Sequence, residues 1–242
     1  MQPYFFPYLG HFALIAAVDL WVVFDITQYT RKSWINRNRV LHPSGGWQYV
    51  SIPLSNSSIH IKIAEAQVAD LQAQQQHVMG KLSHYRRRAP YYAQACEIVK
   101  RTFAESTDTS LVSLNVSGLR TVCDYLKLPF QHRVCSQLDV DFPDDLSAGG
   151  WAPWIAGRLS ADLYVNPVSG RELFNADDFA REAVDLRFLE FAPFIYATPG
   201  YAFEKDLSIL DVVMWNAPDA IVGAIHQNSR ILSATTDGHR SS

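Results

Sequence analysis

Residues 2–25 read Gln-Pro-Tyr-Phe-Phe-Pro-Tyr-Leu-Gly-His-Phe-Ala-Leu-Ile-Ala-Ala-Val-Asp-Leu-Trp-Val-Val-Phe-Asp, and three kinds of local structure follow one another in them. Pro3 and Pro7 each fix φ, remove a backbone donor and bias the preceding residue toward extended conformations, so a regular helix is excluded there. The apolar run after Gly10 then predicts a helix over about 11–18, joined through the turn residue Asp19 to the next element. Leu20–Phe24 is short, continuously apolar and rich in β-branched and aromatic residues, which reads as a buried strand of a parallel sheet. Loop, helix and strand in this order open an α/β unit. Met1 stands where a preceding strand would end, so two expectations stand: a strand upstream of Met1, or an architecture that starts abruptly.

The rest of the chain extends this pattern. A polar stretch runs from Asp25 to Asn38, a turn falls at Pro43-Ser44-Gly45-Gly46, and Trp47–Pro53 reads as a strand. Residues 59–63 alternate Ile, His, Ile, Lys, Ile, the pattern of a half-buried strand. Residues 65–127 read as helical: an Ala- and Gln-rich segment to about 86, a helix opened by Pro90, and a third over about 111–127. The strand-and-helix rhythm returns from about 130, with strands at 130–134, 162–165 and 184–189 and helices at 152–160, 176–183 and 207–215. The expected fold is α/β: a mostly parallel sheet flanked by helices, Rossmann-like or nucleotidyltransferase-like, with a helical middle segment. One domain is expected over 1–229, with the helical insertion at about 65–127 and a structureless tail over 230–242.

Hydrophobic residues make up 48% of the 242 and charged residues 19%, which fits a compact folded chain rather than a disordered one. The net charge of −3 argues against bulk attraction to nucleic acid or to an anionic membrane. No apolar run reaches the roughly 18–20 residues that span a bilayer, and residues 12–24 are interrupted by Asp19. A basic n-region and a cleavage site are both missing from the N-terminus, so a cytoplasmic protein is expected. Cys96, Cys123 and Cys135 carry no metal-ligand spacing and read as small buried hydrophobes, so no metal is expected.

Ligands of α/β sheets sit at the carboxyl ends of strands. Asp25 and Gln28 follow one predicted strand, and Asn166 and Gly170 follow another. Residues 31–39, Arg-Lys-Ser-Trp-Ile-Asn-Arg-Asn-Arg, hold four basic residues in nine, dense for an acidic protein. Arg37 and Arg39 offer planar forks for phosphate, Asn36 and Asn38 offer both donors and acceptors, and Trp34 can stack on a sugar or base. Asp211 lies mid-helix among apolar residues, where a carboxylate needs a partner; an arginine of 31–39 is the candidate. The expected ligand is a small phosphorylated or sugar substrate.

Residues 6–15 resemble the Phe-x-Pro-x-His-x-Gly-His-x-x-Leu-Ile signature of cytidylyltransferase-like enzymes, which would make His11 catalytic in nucleotidyl transfer. The first histidine of that signature is replaced here, and its Ser-Ser-Thr-x-x-Arg partner motif does not appear. A stronger resemblance is to the WbqC-like family. It rests on Gln2-Pro3-Tyr4-Phe5-Phe6-Pro7-Tyr8-Leu9-Gly10, Val18-Asp19, Phe24-Asp25 with Gln28, and Ser33-Trp34-Ile35-Asn36-Arg37-Asn38-Arg39. It continues through Ala89-Pro90-Tyr91-Tyr92, Tyr164-Val165-Asn166-Pro167 with Gly170, and Leu207-Ser208-Ile209-Leu210-Asp211. The family occurs with genes for bacterial surface polysaccharides such as O-antigen. The resemblance implies transfer of an aminoacyl group, glycyl among them, or an acyl group onto a nucleotide- or lipid-linked sugar, and names no cofactor. Gln2 and Tyr4, within its first motif, join the candidate substrate-binding residues, and Asp25 is the candidate general base. The chain departs from the family at His11, where an aromatic such as Tyr is expected; that lessens the role of His11. Nucleotidyl transfer and a non-catalytic binding role in the same pathway stand as alternatives.

Overall fold

The proline-led segment stays non-helical through Tyr8, and α1 (Leu9–Ala16) begins two residues after Pro7. In the computed structural model, which describes residues 1–58, 60–143 and 145–234, the chain is a mixed α/β protein. Its residues cluster into two units: Met1–Leu138 with Pro193–His226, and Asp139–Ala192 with the chain from Gln227 onward.

In the first unit, α1 is buried along nearly its whole length, from Leu9 to Ile15. β1 (Trp21–Val23) follows and pairs in parallel with β4 (His132–Val134), Trp21 opposite His132. Met1 lies alongside β1, its carbonyl accepting from Phe24 N at 2.8 Å. β2 (Arg37–Leu41) and β3 (Trp47–Ser51) form an antiparallel hairpin, Arg39 opposite Tyr49. The turn between them, 42–46, is closed by His42 N on the Gly46 carbonyl at 2.8 Å. Gly45 and Gly46 take φ of 112° and 66°, values that a side chain would strain.

The middle segment is helical: α2 (Leu71–Leu82), α3 (Tyr92–Ala104) and α4 (Leu111–Leu126). Asp70 caps α2 by accepting from Ala73 N, and Ser110 caps α4 by accepting from Ser113 N. Leu111, Leu114, Val122 and Leu126, spaced for one helical face, are all buried. α7 (Ile209–Trp215) and α8 (Pro218–Asn228) follow later in the chain, α8 with a proline at its first position.

The second unit holds α5 (Trp151–Arg158), β5 (Leu163–Pro167), α6 (Ala176–Arg181), β6 (Asp185–Phe191) and β7 (Ser229–Ser233). β5 pairs with β6 in parallel, and β7 pairs with β6 antiparallel. Ala156, Phe179, Val184, Leu186 and Phe188 are the buried centre of this unit.

The strands therefore make three small sheets, of two, two and three strands, in place of the mostly parallel sheet expected. Among the described residues only the β1–β4 and β5–β6 pairs are parallel. The segment from 37 to 41 was the hidden strand. Its alternating charged and polar side chains read as loop, yet five residues separate it from β3, a connection that only antiparallel strands can make. The strand expected at 59–63 is also not formed: Lys62 makes a single bridge to Gln28, and Ile63–Glu65 is a 3-10 turn, while Ile59 lies outside the described residues. The expected tail begins instead with β7, and residues 235–242 lie outside the described residues.

The proline-rich loop of the first unit is rich in carbonyls and poor in donors, and side chains from three other elements meet it. Asn115 Nδ2, from α4, donates to the carbonyls of Pro3 and Ile35, each at 2.8 Å. Asn38 Nδ2, from β2, donates to Phe5 O at 3.1 Å and Phe6 O at 3.0 Å. Ser208 Oγ, the cap of α7, donates to Phe6 O at 2.7 Å, and Ile209 N donates to Pro7 O at 2.8 Å. Phe6 itself sits at φ 39°, a left-handed conformation that a non-glycine residue holds only when its surroundings fix it. Truncating Asn115 strands two buried carbonyls, Pro3 O and Ile35 O, whereas truncating Asn38 strands Phe5 O and leaves Phe6 O with Ser208 as its donor. Asn115→Ala is expected to cost about 2–4 kcal/mol and Asn38→Ala, with one carbonyl stranded, about 1–3 kcal/mol, read as a fall in urea midpoint at constant m. A change within experimental error for both would show that the loop is held by something else.

Candidate functional site

The segments 2–10 and 34–39 lie side by side. Phe5 N donates to Trp34 O at 2.9 Å, and the asparagine contacts described above span the same seam. Within this seam the sequence-predicted residues divide by what they touch. Asn38 is buried and spends its amide on the loop carbonyls, and its Oδ1 accepts from Arg39 N at 2.8 Å. Asn36 donates to Ile52 O at 3.0 Å. Trp34, Arg37 and Arg39 belong to the outer face of the hairpin.

That face is built by the period of two along each strand. Arg37 and Arg39 project from β2 to the same side as Trp47 and Tyr49 from β3. The antiparallel register sets each arginine diagonally across from an aromatic ring. Arg37 Cζ lies 3.9 Å from the centroid of Tyr49, and Arg39 Cζ lies 5.1 Å from Trp47 and 5.4 Å from Trp34. Trp47 and Tyr49 meet edge to face at 4.9 Å. Trp34 and Trp47 remain 39% and 40% exposed, unusual for indoles and enough to present ring surface to a ligand. Among the described residues no carboxylate pairs with Arg37 or Arg39; Arg39 Nη2 donates to the Asp206 carbonyl at 3.2 Å. Trp47 and Tyr49 escaped the sequence reading. The signal was present as two period-two runs, Arg-Asn-Arg and Trp-Gln-Tyr, on either side of a Gly-Gly turn.

A second polar group stands at the carboxyl ends of β1 and β4. Asp25 is 1% exposed. Its two oxygens accept from Ser136 N at 2.9 Å and from Ser136 Oγ at 2.6 Å, a short charge-assisted bond. Ser136 itself is exposed and was not singled out from sequence. Gln2 Nε2 approaches Thr27 Oγ1 at 3.4 Å, so Gln2 reaches the chain leaving β1, on which Gln28 lies and bridges to Lys62. Asn166 and Gly170 belong to the second unit. There Asn166 is buried, accepts from Tyr164 Oη at 3.3 Å and closes over Gly170 so tightly that a Cβ at 170 would collide with its amide.

His11 lies in the first turn of α1, 3% exposed, with its ring 5.5 Å from Tyr4 and 4.8 Å from Trp21. Burial pushes its pKa down to about 3, so it is neutral at ordinary pH. Asp211 on α7 is fully buried, and its partners are not the arginines expected. Tyr85 and Tyr196 donate their hydroxyls to its two oxygens, the latter at 2.8 Å, and Leu41 N approaches at 3.4 Å. Burial raises its pKa to about 6 against the opposing pull of these donors. The two phenols are pushed upward by burial and by the carboxylate, and stay donors.

These two groups impose opposite pH slopes on stability. For His11 the unfolded chain binds the extra proton between pH 6.5 and about 3, so stability falls as pH falls through that window. His11→Phe is expected to remove that slope, up to about 1.4 kcal/mol per pH unit, in unfolding free energies measured at pH 7, 5.5 and 4. For Asp211 the folded chain binds the extra proton between 3.8 and about 6, so its contribution falls as pH rises through that window. Asp211→Asn, compared with wild type over the same series, is expected to lose least at pH 6 and above. Parallel curves for wild type and variant would contradict either assignment.

No helix among the described residues is long and apolar enough to cross a membrane, and no group of three or more metal-ligating side chains occurs among them. An uncharacterized protein of Mycobacterium tuberculosis is 26% identical over 215 residues, covering 88% of this chain and 90% of its own length. No solved structure matches the chain. The model of the WbqC-like protein family matches residues 2–222, taking in the proline-rich loop, the hairpin face, Asp25 and the Ser208–Asp211 helix start, and the chain belongs to that family.

Proposed function

We propose that this protein transfers an aminoacyl group, glycyl among them, or an acyl group onto a nucleotide- or lipid-linked sugar during the building of a bacterial surface polysaccharide. The observation that carries the reading is the outer face of the β2–β3 hairpin. Two guanidinium groups that have no carboxylate partner among the described residues are stacked on aromatic rings there, beside exposed indoles. Arginine forks suit phosphate oxygens, and an indole face suits the apolar side of a pyranose. In this reading Arg37 and Arg39 hold phosphate and Trp34 stacks on the sugar. The site works in the cytoplasm and needs neither nucleic acid nor metal.

Acyl transfer to a sugar amine requires removal of one proton from the attacking nitrogen. Asp25 keeps the proposed role of general base, and its contact with Ser136 defines how it would act. With both carboxylate oxygens engaged by Ser136, a proton reaches Asp25 through the serine hydroxyl. Gln2, Tyr4 and Gln28 keep a proposed substrate-binding role, while Asn36, Asn38 and Asp211 hold backbone of the first unit in place, as the contacts above support; Asn166 and Gly170 are proposed as ligand contacts of the second unit by itself. His11, buried and neutral, gives no support to nucleotidyl transfer.

Arg39→Ala is expected to weaken binding of a nucleotide-linked amino sugar at least tenfold, about 1.4 kcal/mol, in calorimetric titration. Asp25→Asn is expected to lower turnover about 100-fold with affinity retained, in the range of a lost acid–base group. Full affinity in Arg39→Ala would remove the hairpin face from the reading, and unchanged turnover in Asp25→Asn would remove the base.

A further inference from the structure

We infer that the hairpin face is a diphosphate site: it grips the two phosphates that link an activated sugar to its carrier, one on Arg37 and one on Arg39. The inference rests on the reading above that a phosphate-held sugar binds this face, and it specifies the linkage.

The spacing comes first. Residues two apart on a strand lie about 7 Å apart on one face, so β2 sets the two guanidinium stems at a fixed repeat. Two phosphates joined through a bridging oxygen present two sets of oxygens along a line, one for each fork.

The donor inventory comes second. A guanidinium carries five N–H donors. Among the described residues Arg37 makes no side-chain hydrogen bond and Arg39 makes one, to the Asp206 carbonyl. The Nε atoms of both are shut off from solvent and have no acceptor. Buried cationic donors without acceptors are costly, and each calls for an explanation. These Nε atoms lie too deep for a ligand to reach; the terminal Nη groups, which are not shut off, are the donors that two incoming oxyanions meet.

Rigidity comes third. Arg37 is held over Tyr49, and Arg39 between Trp34 and Trp47, so both guanidinium groups are ordered before a ligand arrives. Ordering in advance favours binding, because less freedom is lost on association. Asp206 offers Arg39 its carbonyl, and Glu204 lies near Gly46 at the turn. A polynucleotide is the wrong ligand for two isolated guanidinium groups on a chain of net charge −3.

Nucleoside-diphosphate sugars and polyprenyl-diphosphate sugars share this linkage, and the test separates them. The full chain is titrated calorimetrically with inorganic phosphate, pyrophosphate, N-acetylglucosamine 1-phosphate, UDP-N-acetylglucosamine and farnesyl-diphospho-N-acetylglucosamine. Pyrophosphate is expected to bind at least tenfold tighter than phosphate, and both diphosphate sugars tighter than the 1-phosphate. The tighter of the two identifies the carrier. Arg37→Gln and Arg39→Gln, checked for unchanged melting temperature, are each expected to abolish the preference for pyrophosphate. Equal affinity for phosphate and pyrophosphate, or a preference that survives in either variant, overturns the inference. If the 1-phosphate binds as well as the diphosphate sugars, the diphosphate inference fails and the phosphate-held sugar reading stands. If pyrophosphate is preferred through both arginines but no sugar phosphate binds, the sugar reading fails and the diphosphate site stands.

Discussion

The proline-rich loop cannot hold itself. Pro3 and Pro7 have no N–H, and the loop folds neither into a helix nor into a sheet ladder, so its carbonyls must find donors elsewhere. Asn115 from α4, Asn38 from β2 and Ser208 at the head of α7 supply them. These three side chains come from parts of the sequence 32 to 202 residues away from the loop, and each is buried. Through this one requirement the loop, the hairpin, the helical middle segment and α7 are fixed against one another. The left-handed backbone of Phe6 is a local consequence of that fixation.

Fixing the loop also fixes the outer face of the hairpin. Asn38 turns inward to serve the loop, so by strand alternation Arg37 and Arg39 turn outward. Their neighbours across the hairpin are then set by register, and Tyr49 and Trp47 fall under the two guanidinium groups. Below the same strand the Asp211 carboxylate, held by two phenols, anchors Leu41 to α7. One strand thus carries structural polar groups on its inner side and free cationic donors on its outer side. That division explains why residues of one short motif, Trp34 to Arg39, have such different surroundings.

Much of the secondary structure was legible. Helix α4 could be read from Leu111, Leu114, Val122 and Leu126, because a 3.6-residue period over 16 residues has few competing explanations. The β1 strand was legible for the opposite reason: a short continuously apolar run favours burial, and Trp21 and Val23 are buried, although Leu20 at the start of the run is exposed. β2 was not legible. Its inner side chains include a buried asparagine whose partners lie in a loop 32 residues earlier, and no local pattern encodes such a contact. β7 was hidden in a Ser- and Thr-containing tail, because an edge strand draws its order from β6 and not from its own composition. The partners of Asp211 were missed because charge suggests an arginine, whereas burial favoured two phenols at the site.

The sequence alone determined which family the chain joins, that the first 25 residues run loop, helix, strand, and that arginines and a tryptophan are concentrated in residues 31–39. These are properties of local composition and spacing. Only the tertiary structure decided that the sheets are small, that the arginines stack on Trp47 and Tyr49, and that Asp25 gives both its oxygens to Ser136. Such outcomes depend on pairing register and on where buried carbonyls and carboxylates find donors. Those partners are distant in the chain, so they exist only once the chain has folded.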